Sequence, residues 1–309
     1  MKSASLITSD TYSEFDVLKL LHQRMPLSAS GKMKYMNLYK GLEGEQRFSR
    51  LLKNRLPSRY VVLTDVLLGQ NESEFQLDIL VIADDTIYPL EVKNYDGDFV
   101  IRNDRWYATA GRREIRNPLH QVSRMEILLR NVLNQGKFNF SIESKVVFTH
   151  SEFFLYQAPL DAPLIFPTQI NRFIEELVSK PFHGNSRQEN LVDFLKKQQK
   201  SWSTHTRLPK YTYEELQKGI VCEECSVFLR LDPLNLLVCN NCGRKEKLEP
   251  ALLRSVRQYE VLFPDKRITV SAMLDWCNII SSRKIIRRIL KKHLRLVQRG
   301  RYSYYVFKK

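Results

Sequence analysis

The order of periodic segments predicts an α/β sandwich on a mixed sheet, with smaller modules behind it. Three observations carry this expectation. A helix-patterned segment precedes three runs rich in apolar and β-branched residues, further helices alternate with another strand, and the C-terminal part carries paired cysteines and a basic tail. With 309 residues, 43% hydrophobic and 27% charged, the chain has room for one large domain with small additions or for two to three compact units.

Residues 1–34 are mixed in character and form an N-terminal extension. "YKGLEGEQRFSRLLKNRL" predicts a helix ending before Pro57, because Leu42, Phe48, Leu52 and Leu56 recur on one stripe. "YVVLTDVLL", "FQLDILVIA" and "TIYPLEVKN" predict three strands. Pro89 removes a ladder donor from the third, so a bulge or shifted strand start is expected there. "DFVIRNDRWYATAG" alternates around Asn103 and Asp104, as a hairpin does. Asn117 supplies a cap and Pro118 a first residue for the helix "NPLHQVSRMEILLRNVLNQG", which stops at Gly136. A strand in "SKVVFTH" and helices near "TQINRFIEELVSK" and "ENLVDFLKKQQK" complete a domain over 35–200. Polar residues 201–217 read as a linker, before a cysteine-bearing module at 218–248 and a basic one at 251–309.

The stretch "FQLDILVIADDTIYPLEVKN" sets Asp78, Glu91 and Lys93 among strand-forming apolar residues. A carboxylate there loses hydration, which costs several kcal/mol unless a cation lies beside it. For paired hard oxygen ligands acting on phosphate substrates that cation is Mg²⁺ or Mn²⁺. Glu91 and Lys93, two apart on a strand, share a face, and Asp78 joins them if its strand is the neighbour. Such a trio suits water attacking a phosphodiester, with Lys93 positioning or deprotonating it. The bland alternative is that these acids cap strands or pair with lysine. Glu45 falls within the apolar helix stripe, so either its head meets a metal site or it lies in the first turn and favours the helix dipole.

"GLEGE" at 41–45, "FQLDILVI", "PLEVKN" at 89–94, Gly97, Trp106 and "NPLHQ" at 117–121, taken in this order, resemble the nuclease-related domain, NERD, which is in turn similar to the PD-(D/E)XK nucleases. The resemblance covers about 36–150, extending through the helices to about 200. It implies a PD-(D/E)XK-like core in which Asp78 and Glu91 are metal ligands and Lys93 the catalytic lysine. It also implies that Glu45 is the acid of the first helix, and Gln121 the glutamine that contacts metal or substrate.

"CEEC" at 222–225 and "CNNCG" at 239–243 give two Cys-x₂-Cys pairs. Each can form a knuckle, and together Cys222, Cys225, Cys239 and Cys242 supply the four thiolates of a tetrahedral structural zinc. Disulfides are the alternative, disfavoured where thiols stay reduced. Cys277, among apolar neighbours, reads as a buried core thiol. A ribbon of this kind could bind nucleic acid or protein, or stiffen the joint.

The net charge is +15, of which residues 251–309 carry +12. Neutralising phosphates and releasing their counterions calls for such a cluster. In "SRKIIRRILKKHLR" apolar Ile285, Ile286, Ile289 and Leu290 take one side of a helix. Lys284, Arg287, Arg288, Lys291, Lys292 and Arg295 take the other. "TVSAMLDWCNII" before it predicts a shorter helix, and "LRLVQRGRYSYYVFKK" after it a hairpin turning at Arg299 and Gly300. This is the order of a winged helix-turn-helix, with Arg299 or Arg301 on a neighbouring phosphate and Tyr302, Tyr304 and Tyr305 either stacking or packing the wing. A membrane-surface helix would want a bulky aromatic anchor on its apolar side. No run approaches the roughly 18 to 20 apolar residues of a membrane span, and "MKSASLITSDTYSEF" lacks a secretory core, so a cytoplasmic protein is expected.

These readings converge on a metal-dependent nuclease hydrolysing phosphodiester bonds in DNA, with RNA the lesser candidate substrate. The alternative is a non-catalytic DNA-binding or regulatory protein using a nuclease-like scaffold.

Overall fold

A computed structural model describes residues 13–70, 73–181, 184, 187–200, 208–232, 236–300 and 302–308. Two helices open it, α1 (Glu14–His22) and α2 (Ala29–Arg55). The chain forms two compact units, Met36–His205 and Tyr12–Tyr35 with Thr206–Lys309.

In the first unit, β1 (Val61–Gln70), β2 (Ser73–Ala83) and β3 (Thr86–Lys93) form an antiparallel meander. A second set follows: β4 (Gly97–Arg102), β5 (Arg105–Ala108) and β6 (Arg113–Ile115). Asn103 and Asp104, both at positive φ (48° and 61°), make the two-residue turn between β4 and β5 whose twist matches a hairpin. Helix α3 (Pro118–Gln135) starts at the expected cap, where the Asn117 side chain accepts from the Leu119 amide at 2.9 Å. Then come β7 (Ser141–Ile142), β8 (Lys145–Phe148), β9 (Phe153–Tyr156), β10 (Leu164–Ile165), α4 (Ile170–Ser179) and α5 (Arg187–Gln198). The main sheet runs β1-β2-β3-β8-β10, with β7 also beside β3, and β8 lies parallel to β3. The other sheet runs β6-β5-β4-β9, with β9 parallel to β4.

Two cores flank the main sheet. On one face Phe48 and Leu52 of α2, Leu56 just after it, and Ile174 and Leu177 of α4 pack on Ile79, Val81, Leu90 and Val92. On the other, Val122, Met125 and Leu129 of α3 and Leu191 and Leu195 of α5 pack with Leu80, Ile82 and Val146. They also meet Phe99, Trp106 and Phe153 from the second sheet. Removing such side chains from water contributes about 1.5–3 kcal/mol each. The result is the expected mixed α/β sandwich.

Two departures from regular pairing concern the site. Phe75 and Leu77 share a core with Leu80 and Ile82, so the in-out alternation of β2 slips by one residue between them, at Asp78. Strand β1 slips in the same place, between Leu63 and Val66. Asp65 and Asp78 lie outside the regular register, between the ladder pairs Thr64↔Ile79 and Val66↔Leu77, with Asp65 in the left-handed region at φ 55°. A paired irregularity of this kind kinks the ribbon and re-aims side chains.

At Pro89 neither a bulge nor a shifted strand start occurs: Leu80↔Pro89 stays in register. The accommodation is on the other side. Thr86↔Ser141, Ile87↔Ile142 and Leu90↔Lys145 keep one parallel register, and the Glu143 amide donates to the Ile87 carbonyl at 3.0 Å. The next rung would be an amide at position 89 donating to the Glu143 carbonyl, which proline cannot supply. That lost donor is what separates β7 from β8.

In the second unit, β11 (Arg230–Leu231), β12 (Leu236–Val238) and β13 (Lys245–Lys247) form a small antiparallel sheet. Helices α6 (Leu248–Leu262), α7 (Val270–Cys277) and α8 (Arg283–His293) follow, then the hairpin β14 (Leu294–Val297) and β15 (Tyr304–Phe307). The N-terminal residues belong here as well. Val17, Leu20 and Leu21 of α1 share one core with Cys222, Leu237 and Cys239 of the ribbon, Leu252 and Val256 of α6, Trp276 of α7 and Ile289 of α8. Arg24, 2% exposed, places its guanidinium 4.0 Å over the Trp276 ring. It donates to the carbonyls of Gln217 and Gly219 and to Gln258 Oε1. Cys277 is fully buried, as expected, and burial pushes its thiol up to about 11. No helix among the described residues is long and apolar enough to cross a membrane.

The Pro89→Val protein is expected to join β7 and β8 into one ladder, with a stability change of no more than about 1 kcal/mol. Chemical denaturation and a slow-exchanging amide at position 89 would check this. A fast-exchanging amide there would show that proline is not the cause of the break.

Candidate functional site

The β2–β3 ladder ends at Ile79↔Leu90, and the next residues across it are Asp78 and Glu91. Where strand pairing stops, side chains take over. The Val92 amide donates to Asp78 Oδ2 at 2.9 Å, fixing that carboxylate against β3. Glu91 is 2% exposed, and its Oε1 accepts from Lys93 Nζ at 2.6 Å and from Gln121 Nε2 at 2.5 Å. Lys93 Nζ also donates to Gln121 Oε1 at 3.2 Å. Gln121 lies in the first turns of α3, so the Asn117 cap that starts this helix also sets its reach. Glu91 Oε2 is buried without a hydrogen-bond partner.

Glu45 arrives from α2. The helix begins ten residues before the predicted segment, so Glu45 lies mid-helix and the dipole reading fails. Its neighbour Gly44 fixes the approach: a Cβ there would lie 2.5 Å from Asn94 Cβ and 2.9 Å from Thr149 Oγ1. Only a helix without a side chain at this point comes so close to the ends of β3 and β8. Asn94 Nδ2 donates to the Lys40 carbonyl at 2.9 Å, while Arg47 donates to Asn94 Oδ1 and the Thr149 carbonyl.

The electrostatics follow from this crowding. Burial first, then Glu91 and Glu45, raise Asp78 well above the ordinary carboxylate range, with the Val92 amide and Lys93 opposing. Burial, then Asp65 and Glu91, push Glu45 up to about 7. For Lys93 burial alone would lower the pKa, but Glu91 and Tyr95 outweigh it and the net shift is upward, keeping an ammonium. Hard carboxylate oxygens, one of them orphaned, that strain against shared negative charge fit a hard divalent cation. Asp78 and Glu91 could hold it, with Glu45 behind them. Asp65, whose Oδ1 accepts from Gln76 Nε2 at 2.8 Å, is an acid beside this set that the strand pattern hid. The signal was the broken alternation of β1.

The four expected thiols converge, all Sγ atoms lying within 4.8 Å of one another, with Cys222–Cys242 at 3.7 Å and Cys225–Cys239 at 3.2 Å. A tetrahedron with bonds of about 2.3 Å has S–S edges of about 3.8 Å, so the set fits zinc. Each knuckle closes alike. The Ser226 amide donates to the Cys222 carbonyl and the Gly243 amide to the Cys239 carbonyl, with Ser226 and Gly243 at φ 61° and 72°. Among the described residues this is the one group of three or more ligand side chains already gathered about a point.

On α8, Ile286, Ile289 and Leu290 are buried, while Lys284, Arg287, Arg288, Lys291 and Lys292 are exposed; Arg295, expected on the same helix, is exposed in strand β14 instead because the helix ends at His293, and Arg299 is exposed in the hairpin turn. Lys292 is engaged, 2.7 Å from Glu249. Tyr305 is buried and packs the hairpin, Tyr302 is exposed, and Tyr304 lies under Arg267 at 5.0 Å. Arg301 lies outside the described residues, as do residues 201–207 of the expected linker.

Residues 40–149 match the family model of the nuclease-related domain, NERD, and this span holds Glu45, Asp78, Glu91, Lys93 and Gln121. No curated protein and no solved structure matches the chain.

Two outcomes are expected. Because Glu45 titrates near 7 in the fold against an ordinary 4.5, its contribution to stability is full below pH 4.5 and is lost as pH rises through 7. Thermal melts without Mg²⁺ should therefore fall between pH 5 and 8. Added Mg²⁺ should offset the fall and Glu45→Gln should reduce it; an unchanged profile in that variant would refute the assignment. The protein should also carry one zinc per chain by metal analysis. A strong zinc chelator should lower its melting temperature, since Cys222 and Cys239 belong to the second unit's core.

Proposed function

From a nuclease-related domain at residues 40–149, we propose a metal-dependent nuclease that hydrolyses phosphodiester bonds in DNA. The observation that carries this reading is the Glu91 carboxylate, buried with Oε2 unsatisfied beside Lys93 and one rung from Asp78. A scaffold freed of chemistry gains nothing from such a group, because taking an ion pair out of water while leaving one carboxylate oxygen without a partner costs more than it returns.

Asp78 and Glu91, with Glu45, would hold Mg²⁺ or Mn²⁺, which when bound neutralises phosphate charge and makes water acidic. The chain's own groups do the rest. Lys93, kept protonated by Glu91, acts as a hydrogen-bond donor and positive charge toward the phosphate and the attacking water. It is no general base in that state, which narrows the role expected of it. Gln121 bridges Glu91 and Lys93 and holds both in place.

The second unit serves as the grip. Helices α7 and α8 with the β14–β15 hairpin read as a winged helix, and the exposed Lys284, Arg287, Arg288, Lys291 and Arg295 form its phosphate-facing side, with Arg299 at the wing. The zinc ribbon shares that unit's core and so stiffens the grip. Residues 35–200 then form the catalytic domain.

Purified protein with Mn²⁺ is expected to nick plasmid DNA, and Lys93→Ala to slow this by about 10² to 10³ while leaving DNA affinity unchanged. Cleavage that survives the substitution would remove the assignment. Matched DNA and RNA substrates would settle the sugar.

A further inference from the structure

The outward face of the second sheet lies apart from the Asp78–Glu91–Lys93 cluster in the register of strands. Strand β9 is an edge, paired only with β4, and its inner residues Phe153 and Leu155 are buried. Its outer residues Phe154 and Tyr156 are 54% and 47% exposed, with ring centroids 4.7 Å apart. Register extends the face across the sheet. Asp98 lies beside Phe154, Val100 beside Tyr156, and Val100 in turn beside Tyr107. One step on, Arg102 pairs with Arg105, and both are exposed. Arg105 is weakly restrained by Glu114 at 3.5 Å, with both side chains more than half in water.

We propose that this face is a platform for single-stranded nucleic acid, its bases stacked on Phe154 and Tyr156 and its phosphates met by Arg102 and Arg105. Exposed rings on a sheet offer flat apolar area that every base can cover, and flanking guanidiniums supply the complementary charge. The chain path supports that occupant. Strand β4 begins four residues after Lys93, and β6 leads directly into α3, which carries Gln121, so the platform is tethered on both sides to the site. Duplex DNA, with its bases stacked inside, has no face to offer these rings. The inference rests on the nuclease reading only for the fate of the bound strand.

The test uses the full chain without added Mg²⁺ or Mn²⁺, so that binding is measured apart from cleavage. Fluorescence anisotropy compares a short oligothymidylate with a duplex of equal length. A Phe154→Thr/Tyr156→Thr double variant, which keeps strand propensity, should lose about tenfold or more in single-strand affinity and little in duplex affinity. Arg102→Gln, an independent surface change, should lower the salt slope of single-strand binding by about one. Unchanged single-strand affinity in the double variant, or an equal loss for both substrates, would overturn the proposal. So would a wild-type oligomer that dissociates in the double variant with its nucleic-acid affinity intact, which would mark the face as a contact between copies.

Discussion

The arrangement of the first unit hangs on a carboxylate that has been taken out of water and only half compensated. Glu91 gives one oxygen to Lys93 and Gln121 and leaves the other unmatched. A buried ion pair with one carboxylate oxygen left unmatched is costly for a fold to keep. Every nearby irregularity serves it. The paired slip at Asp65 and Asp78 ends the regular ladder one rung short of Glu91, Gly44 lets α2 bring a second acid close, and the Asn117 cap starts α3 where Gln121 can reach. Lys93 supplies one positive charge among several negative ones, so raised carboxyl groups remain until a further cation arrives.

Much of this was legible in the residues because local chemistry dictated it. Asn103-Asp104 can hardly do other than turn a hairpin, Asn117-Pro118 announces a helix start, and Cys-x₂-Cys spacing makes a knuckle whatever surrounds it. The pairing of Asp78 with Glu91 followed from two adjacent strands. What escaped was whatever depends on tertiary partners. The early start of α2 is not anchored by a core there: Met33, Met36 and Tyr39 recur at helical spacing but are exposed. Helix α1 did carry a signal, the reciprocal Ser13–Asp16 cap before "VLKLL", but its core lies in residues some two hundred positions away. Pro89 looked like damage to β3 because sequence shows the missing donor and not the direction in which it would have pointed.

The basic side of α8 is exposed as its period required, yet Lys292 is tied to Glu249, which Lys292 and His293 together hold down to about 2. Position on a helix face therefore identifies candidates, and local ion pairs decide which of them stay available to a polyanion. The ribbon and the helices behind it behave as one body because Cys222 and Cys239 lie in the core that the helices share.

Arg24 has a consequence for how the chain is made. Its guanidinium seals on Trp276 and on carbonyls near position 218, and α1 buries its leucines against residues beyond 250. The core that these residues join is incomplete until the helices beyond 250 are present. The first unit lacks that delay, since its strands and helices are complete by residue 200. The elements of the α/β body thus precede those of the second unit's core, which can close only once residues beyond 250 are available, around a loop of more than 200 residues.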